Sequence, residues 1–428
     1  MKGIIINWAG TLASIPDDWL LCNGNNSTPN LLGKYLLSVG ASEDPGTTGG
    51  ASTHTHTSPE HNHTQDGHTH SGQTGTCSQF VGKGNNSTCA KATHSHTYTT
   101  DSTTPSNTVT TVTVEAASNE PTYYKIAPIL DSSVAGVQYP AGSLLFWNLT
   151  TLPVGWSLCD GNNGTPDLRN KFLKCVDSAE NPGATGGAST HTHTTTAHNH
   201  TQNGHSHTGT TSGPSETTYG FGGGGFPSNT HTHSFTSDAT TATNQTATPD
   251  MDTINGEPTF KKLLIIKNTG VANRPKYSIC IWTGTIANIP LGYVLCNGSN
   301  GTPDLRDYFI KGALDSSELL NTGGSSVHAH TANSHNHAQD SHTHPLAALA
   351  HSSQATVWQS SQYYTATPAN SSHAASTIPA ATGTNQATTI TISNCSSQAN
   401  YPPYYKVAYI MQDRDLDLTG ANLMQMLL

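Results

Sequence analysis

All but two of the 24 histidines stand in His-x-His pairs, and the pairs recur at two fixed spacings. One set is His54/His56, His61/His63 and His68/His70. A second is His191/His193, His198/His200 and His205/His207. A third is His328/His330, His335/His337 and His342/His344. Pairs within a set step by 7 residues, and equivalent pairs in successive sets step by 137. A further pair, His94/His96, recurs at His231/His233 with the same offset. A chain patterned in this way must build one unit three times and bring its imidazoles to comparable places in each.

The repeat extends well beyond the histidines. Pro16, Pro153 and Pro290 correspond, as do Trp19, Trp156 and Tyr293, each followed by x-Leu-Cys and then by Gly24, Gly161 or Gly298. Thr28-Pro29-Asn30-Leu31 matches Thr165-Pro166-Asp167-Leu168 and Thr302-Pro303-Asp304-Leu305. Thr48-Gly49-Gly50, Thr185-Gly186-Gly187 and Thr322-Gly323-Gly324 lead into the histidines. Each unit opens on an apolar run (Gly3–Trp8, Ser143–Trp147, Tyr277–Trp282) and closes on another (Tyr123–Leu130, Phe260–Ile266, Tyr404–Met411). These β-branched and aromatic runs are expected to pair in one small sheet. The histidines lie on a long polar excursion between them. That excursion has too few large apolar residues to bury a core, so something else must hold it.

Residues i and i+2 share a face on a strand. On a helix they would lie about 200° apart and could not meet on one small ion. The threonines around the pairs, as in His54-Thr-His56-Thr, favour the strand. One strand then offers two imidazoles, and three strands around an axis offer six. Six neutral nitrogens suit Fe(II), Ni(II) or Co(II) better than zinc, which prefers four ligands. Two other readings stay open: adventitious metal on an exposed His-rich tract, and zinc held by neighbouring pairs of one unit. The turn signals Asp66-Gly67, Asn203-Gly204 and Asp340-Ser341 would permit the hairpin that zinc needs.

Composition narrows the rest. Only 10% of the chain is charged and 7% is aromatic, which favours thin, extended β parts beside small compact cores. A net charge of −10 argues against nucleic acid as partner. The run Ile4–Ile6 is too short for a signal-peptide core or a membrane span, so no exported or membrane-spanning segment is expected there. Cys22, Cys159 and Cys296 are equivalent and read as small buried side chains. Cys77 and Cys89 occur only in the first unit and would close a disulfide loop in an oxidising setting.

Three motifs together resemble the phage tail collar domain: Pro-x-Gly-Trp-x-x-Cys-Asp-Gly (Pro153 to Gly161), Thr-Pro-Asp-Leu-Arg (Thr165 to Arg169, Thr302 to Arg306), and Pro-Pro-Tyr-Tyr-x-x-x-Tyr-Ile (Pro402 to Ile410). The His-x-His ladder that follows Thr-Gly-Gly is similar to the receptor-binding tip of T-even phage long tail fibres. The resemblance covers nearly the whole chain. It implies a mainly β chain of three small collar domains, with needles threaded by iron (Fe2+) ions that are each held by six histidines. Asn30 and Leu32 depart from the Asp and Arg of the motif, and Tyr293 departs from its Trp. Family members carry one collar per chain, whereas this chain carries three.

The three units can stack along a fibre or stand around one axis. The linkers, Asp131–Gln138 and Thr269–Lys276, reach at most ~25–30 Å. Each unit also starts and ends in the same sheet, so its two ends lie together. Both points favour an intramolecular pseudo-trimer over a homotrimer. The expected units are residues 1–131, 139–268 and 276–412, with distal tip loops at 71–93, 208–230 and 345–372. Three metal levels then follow, each with two histidines from every unit. A fourth level would combine His94, His96, His231, His233 and His373, with Ala375 where the last ligand should be. Three to four ions per chain are expected, with zinc or nickel as alternatives to iron. His351 has no counterpart and is read as incidental.

The tips stop resembling one another. The first has Phe80 and Lys83, the second Tyr219, Phe221 and Phe226, and the third Trp358, Tyr363 and Tyr364. Aromatic side chains amid Gly and Ser suit receptor contacts, although they would equally close a tip by packing. The expected role is a non-enzymatic virion tail-fibre tip that binds a host cell-surface receptor, either a glycan or an outer-membrane protein. A structural collar or connector in a tail is the alternative, and a stand-alone metal-binding protein is a further one. The apolar-rich segment 413–428 would dock on other virion tail proteins.

Overall fold

The computed structural model describes residues 3–412, apart from 59, 75–76, 82–89, 133–138, 214–231, 271–273, 331, 351–371, 374 and 386–397. The described chain is almost all β, with three short 3-10 turns.

The three opening strands are Ile5–Trp8, Ser143–Trp147 and Ile279–Trp282. The closing strands are Tyr123–Asp131, Phe260–Asn268 and Tyr404–Gln412. Each opening strand pairs antiparallel with the closing strand of its own unit, as the repeat predicts. A short strand from the Trp/Tyr-x-Leu motif (Trp19–Leu21, Trp156–Leu158, Tyr293–Leu295) lies on the other side of the same closing strand.

The middle strands, Tyr35–Ser38, Phe172–Cys175 and Phe309–Gly312, leave their own unit. Phe172–Cys175 pairs in parallel with the closing strand of the first unit, and Phe309–Gly312 with that of the second. Tyr35–Ser38 pairs with that of the third. The exchange therefore runs one to two, two to three and three to one, all within a single chain. Ion pairs follow the same circuit: Lys125 to Asp177 and Glu180, Lys262 to Glu318, and Lys406 to Glu43, at 2.6–2.8 Å.

Opening and middle strands are buried along their whole length except at Trp282, which is half-buried, and this requires both faces to be covered. One face fills an axial core with Ile5, Phe146, Ile279, Ile281, Tyr409 and the equivalent Cys22, Cys159 and Cys296. The other packs beneath Trp8, Trp19, Trp147 and Trp156. The three cysteines are buried free thiols, with burial raising their pKa values, as expected for space-filling groups. The pair Cys77/Cys89 lies outside the described side chains.

The motif departures have physical reasons. Asp167 and Asp304 each accept a backbone N–H two residues on and also hold Arg169 or Arg306 through two side-chain contacts. Asn30 keeps the backbone bond to Leu32 N–H. Without a carboxylate there, an arginine has no partner, and Leu32 takes its place. Tyr293 presents a hydroxyl that meets Tyr139 Oη and Gln412 Oε1, both at 3.4 Å. Tyr139, the first residue of the second unit, is fully buried. The guanidinium of Arg274, from the second linker, stacks over its ring at 4.6 Å and contacts the buried Asp131 at 2.7 Å. Arg274, Tyr139 and Asp131 thus join the ends of the units at the base of the collar.

At the collar–needle junction the Thr-Gly-Gly glycines have a strict role. Gly50, Gly187 and Gly324 have φ of +71° to +73°. A Cβ on them would fall 2.0–2.1 Å from the carbonyl oxygens of Pro402, Pro121 and Pro258, each in a neighbouring unit. Only glycine accepts both conditions.

A chain that closes this circuit by itself needs no second chain. Sedimentation or mass photometry is expected to give a particle of 45.0 kDa. A particle of three times that mass would mean that the exchange runs between chains.

Candidate metal centre

Beyond the junction, outgoing and returning segments of the three units wind together. An outgoing segment bonds its own returning segment at some positions (His61 to Thr110, His198 to Ala247) and that of the preceding unit at others (Glu115 N–H to Thr194 O, Gln245 N–H to Ala338 O). Because partners alternate every few residues, most pairings are isolated bridges and few long strands form. The chain is nevertheless extended, so i and i+2 share a face, and that face points at the axis.

Three levels of histidine result. In the first, Nε2 atoms of His56, His191 and His54 approach His328 Nε2 at 3.2, 3.2 and 2.7 Å. His193 approaches His54 at 3.1 Å, and His330 approaches His191 at 3.2 Å. In the second, His198 and His200 approach His61 at 3.2 Å, and His335 and His337 approach His198 at 3.2 and 3.3 Å. In the third, His342 approaches His205 at 3.3 Å, and rings of His68, His70, His207 and His344 complete the set. The sets that fall within ligating reach mix units, for example His54, His56, His193, His328 and His330. Neighbouring pairs of one unit do not share a site, and Asp66 N–H bonds Thr384 O where a hairpin turn was one reading.

The second histidines of most pairs are held with particular care. Their Nδ1 atoms meet backbone carbonyls of the preceding unit: His193 to Glu115, His200 to Thr108, His207 to Asp101, His330 to Asp252, His337 to Gln245 and His344 to Asp238. His70 reaches Pro379 in the same way. A carbonyl can only accept, so the proton sits on Nδ1 and the Nε2 lone pair faces the axis. Metal-ligating histidines are oriented by this kind of outer hydrogen bond. In the third level, Nε2 of His70, His207 and His344 is buried with no hydrogen-bond partner. Lone pairs converging in a dry interior repel one another unless a cation lies between them. These clusters can hold metal ions.

The titration behaviour agrees. Burial, then neighbouring imidazoles, pushes His54, His61, His205 and His328 down to about 3 and His68, His191, His198, His335 and His342 to about 4. Burial also lowers His193, His200, His207, His337 and His344, against the pull of their carbonyl partners.

The sequence reading missed what separates the levels. Between the first two lie Val112, Val114, Met251 and Ala332. Between the second and third lie two buried amide layers. Asn107 donates to Asn385, Asn385 to Asn244 and Asn244 to Asn107, at 2.9–3.1 Å, so the ring closes on itself. Each of these amides also donates to the carbonyl of His63, His200 or His337. Gln202 and Gln339 accept from Ala242 and Gly383 N–H. Pro105, which lies at the first unit's corresponding position, has no N–H, and Gln65 accepts from Gln202 Nε2 instead. The spacing Gln65/Gln202/Gln339 is the same 137 residues and was the available signal. Past the third level, Tyr98, Phe235, Leu346 and Ile378 form an apolar plug.

The fourth level needs a correction. His96, His233 and His373 come together, one from each unit. His373 therefore stands where His96 and His233 stand, and the sequence position two residues earlier is Ser371 opposite His94 and His231. Ala375 is exposed and does not occupy a ligand position. The side chains of His94, His231 and His351, the tip residues Phe80, Lys83, Tyr219, Phe221, Phe226, Trp358, Tyr363 and Tyr364, and the segment 413–428 lie outside what is described.

No family model, curated protein or solved structure matches the chain.

Two outcomes follow from this geometry. In the unfolded chain these histidines take up protons near their ordinary value of 6.5, whereas in the folded needle His54 does so only near 3. The unfolded state then binds more protons in that window, so stability is full above about pH 6.5 and falls as the pH drops towards 3. Thermal melts of the metal-stripped chain across this range are expected to show that decline. A melting temperature flat from pH 7 to 4 would contradict burial of neutral imidazoles. Replacing Asn244 by Ala opens the amide ring and takes a partner from three buried groups, Asn107 Oδ1, the His200 carbonyl and Asn385 Nδ2. Urea unfolding is expected to show a loss on the order of 2–4 kcal/mol.

Proposed function

We propose that this chain is the receptor-binding tip of a bacteriophage tail fibre, a single-chain counterpart of a trimeric collar and needle. The observation that carries the reading is the convergence of Nε2 atoms from all three units at successive levels of one needle. In this reading the ions are structural. They cross-link six thin segments that lack a continuous apolar core, as structural metals do in other small domains.

Iron(II) is the metal we propose, with at least three ions per chain. An octahedron with edges of 3.2 Å has its centre about 2.3 Å from each vertex, longer than the ~2.0–2.1 Å of zinc–imidazole bonds. Six imidazoles also exceed the four ligands that zinc prefers, whereas nickel(II) accepts six; iron is chosen over nickel on the collar-and-needle resemblance, with zinc or nickel as the second choice. With every coordination position filled by protein, such ions offer no open site for catalysis, so the protein is read as a non-enzyme.

The collar motifs support the assignment to a phage tail, because Pro-x-Gly-Trp-x-x-Cys-Asp-Gly and Thr-Pro-Asp-Leu-Arg form the turns that start and brace each unit. The proposed partners are a host surface receptor, glycan or outer-membrane protein, at the distal loops, and other tail proteins through 413–428.

The test has two arms. Stripping metal anaerobically with a strong chelator is expected to lower the melting temperature by tens of degrees, with recovery on adding Fe(II). The isolated protein is expected to bind host cells, and exchanging residues 214–230 and 352–370, which leaves the plug and the strand Thr208–Thr211 intact, for Gly-Ser loops is expected to abolish that binding while leaving the melting temperature in place. Binding that survives the loop exchange would overturn the receptor role.

A further inference from the structure

The amides between the second and third levels include donors that the chain itself does not use. Gln65, Gln202 and Gln339 recur at the 137-residue offset. Each is bridged through its backbone to an asparagine of the closed ring: Gln65 to Asn385, Gln202 to Asn107 and Gln339 to Asn244. All six amides are buried. The asparagines are saturated as donors, because each Nδ2 gives one N–H to the next asparagine and one to a histidine carbonyl.

The glutamines are not saturated. The N–H groups of Ala242 and Gly383 can only donate, so the oxygens of Gln202 and Gln339 face them, at 2.6 and 2.8 Å. Gln202 then presents Nε2 to its neighbour, and Gln65 meets it with Oε1 at 2.6 Å. These contacts fix which end of each amide is nitrogen. Every glutamine oxygen thus holds a partner, while Nε2 of Gln65 and Nε2 of Gln339 are buried with none. A Cβ built on Gly383 would lie 2.5 Å from Gln65 Nε2 and 3.2 Å from His68 Nδ1, so glycine leaves room beside both atoms. His68 Nδ1 is also buried without a partner. The acceptor nearest that spot, Gln339 Oε1 at 2.5 Å, is the one that Gly383 N–H already holds.

Buried N–H groups without an acceptor are unfavourable. A water molecule relieves this poorly here, since it brings two hydrogens of its own and the glutamine oxygens are taken. A small anion accepts several N–H groups at once and donates nothing. The charge balance points the same way. Among the described residues the buried carboxylates are Asp131 and Glu257, both in the collar, and Asp66 and Asp340 beside the glutamines are exposed.

We propose that the glutamine layer binds one monovalent anion of halide size, such as chloride, between the second and third levels of histidine. It rests on the metal reading above and goes beyond it. Dications held by neutral imidazoles on either side would attract an anion into an interior that has no carboxylate to offset them.

The test crystallises the iron-loaded full-length chain from chloride-free sodium bromide and maps anomalous scattering at the bromine and iron edges. The expected result is a bromide peak between the second and third iron levels, within hydrogen-bond reach of Nε2 of Gln65 and Gln339. Melting temperatures at matched ionic strength are expected to be several degrees higher in bromide or chloride than in gluconate, because binding to the folded state alone stabilises it. Gln339→Glu, which supplies a carboxylate of the same shape, is expected to keep its iron and to lose both the peak and the salt effect. A layer without bromide, bromide at surface positions only (an adventitious ion only), or a peak that survives Gln339→Glu would each overturn the inference and leave the iron levels standing. The bromide map of the unaltered chain decides the matter even where the variant does not fold. A chain that holds no iron at any level would overturn the proposed function as well.

Discussion

Neutral imidazoles crowded around one axis are the constraint on which the needle depends. Their Nε2 atoms lie 3.1–3.3 Å apart, a spacing at which converging lone pairs are unfavourable in a dry interior without a cation. Protonating the rings does not relieve it, because burial and neighbouring rings oppose a positive charge. The carbonyls that fix the Nδ1 protons remove the remaining freedom to rotate. The needle therefore combines a rigid donor set with very little apolar packing, which is the design expected when metal supplies the cross-links.

One chain in place of three changes what the architecture can do. A homotrimer must place the same residue at three positions, whereas this chain can break the rule wherever asymmetry is useful. It does so at the base, where Asp131, Asn268 and Gln412 end the three closing strands; the Asp131 carboxylate meets the Arg274 guanidinium, whereas Gln412 Nε2 donates to the Arg274 carbonyl. It does so in the amide layer, where Pro105 makes Gln65 choose a different partner from Gln202 and Gln339. The departure at Asn30 is likewise paired with a local change, Leu32.

Much of this was legible beforehand because period and polarity are local. The 2-residue period of His-x-His shows which face is occupied, and the 137-residue offset shows which histidines share a level. The opening and closing strands followed from their β-branched content and lie within a few residues of the expected limits. The alignment failed at His373, because the insertion in the third unit and the register shift between His342 and His344 moved the frame. The amide ring was overlooked because Asn107 and Gln65 look like ordinary polar loop residues until three copies meet on one axis.

The sequence alone determined that one unit occurs three times, that its imidazoles come in strand-phased pairs, and that its excursion cannot bury itself. Those properties depend on residue order and side-chain chemistry only. The tertiary structure decided which unit pairs with which. The parallel exchange of the middle strands, the carbonyl acceptors of the second histidines His193 and His200, and the closed Asn ring all join residues 49 or more positions apart. No local pattern encodes such partners, because they are fixed only when three interwound segments compete for the same backbone hydrogen bonds.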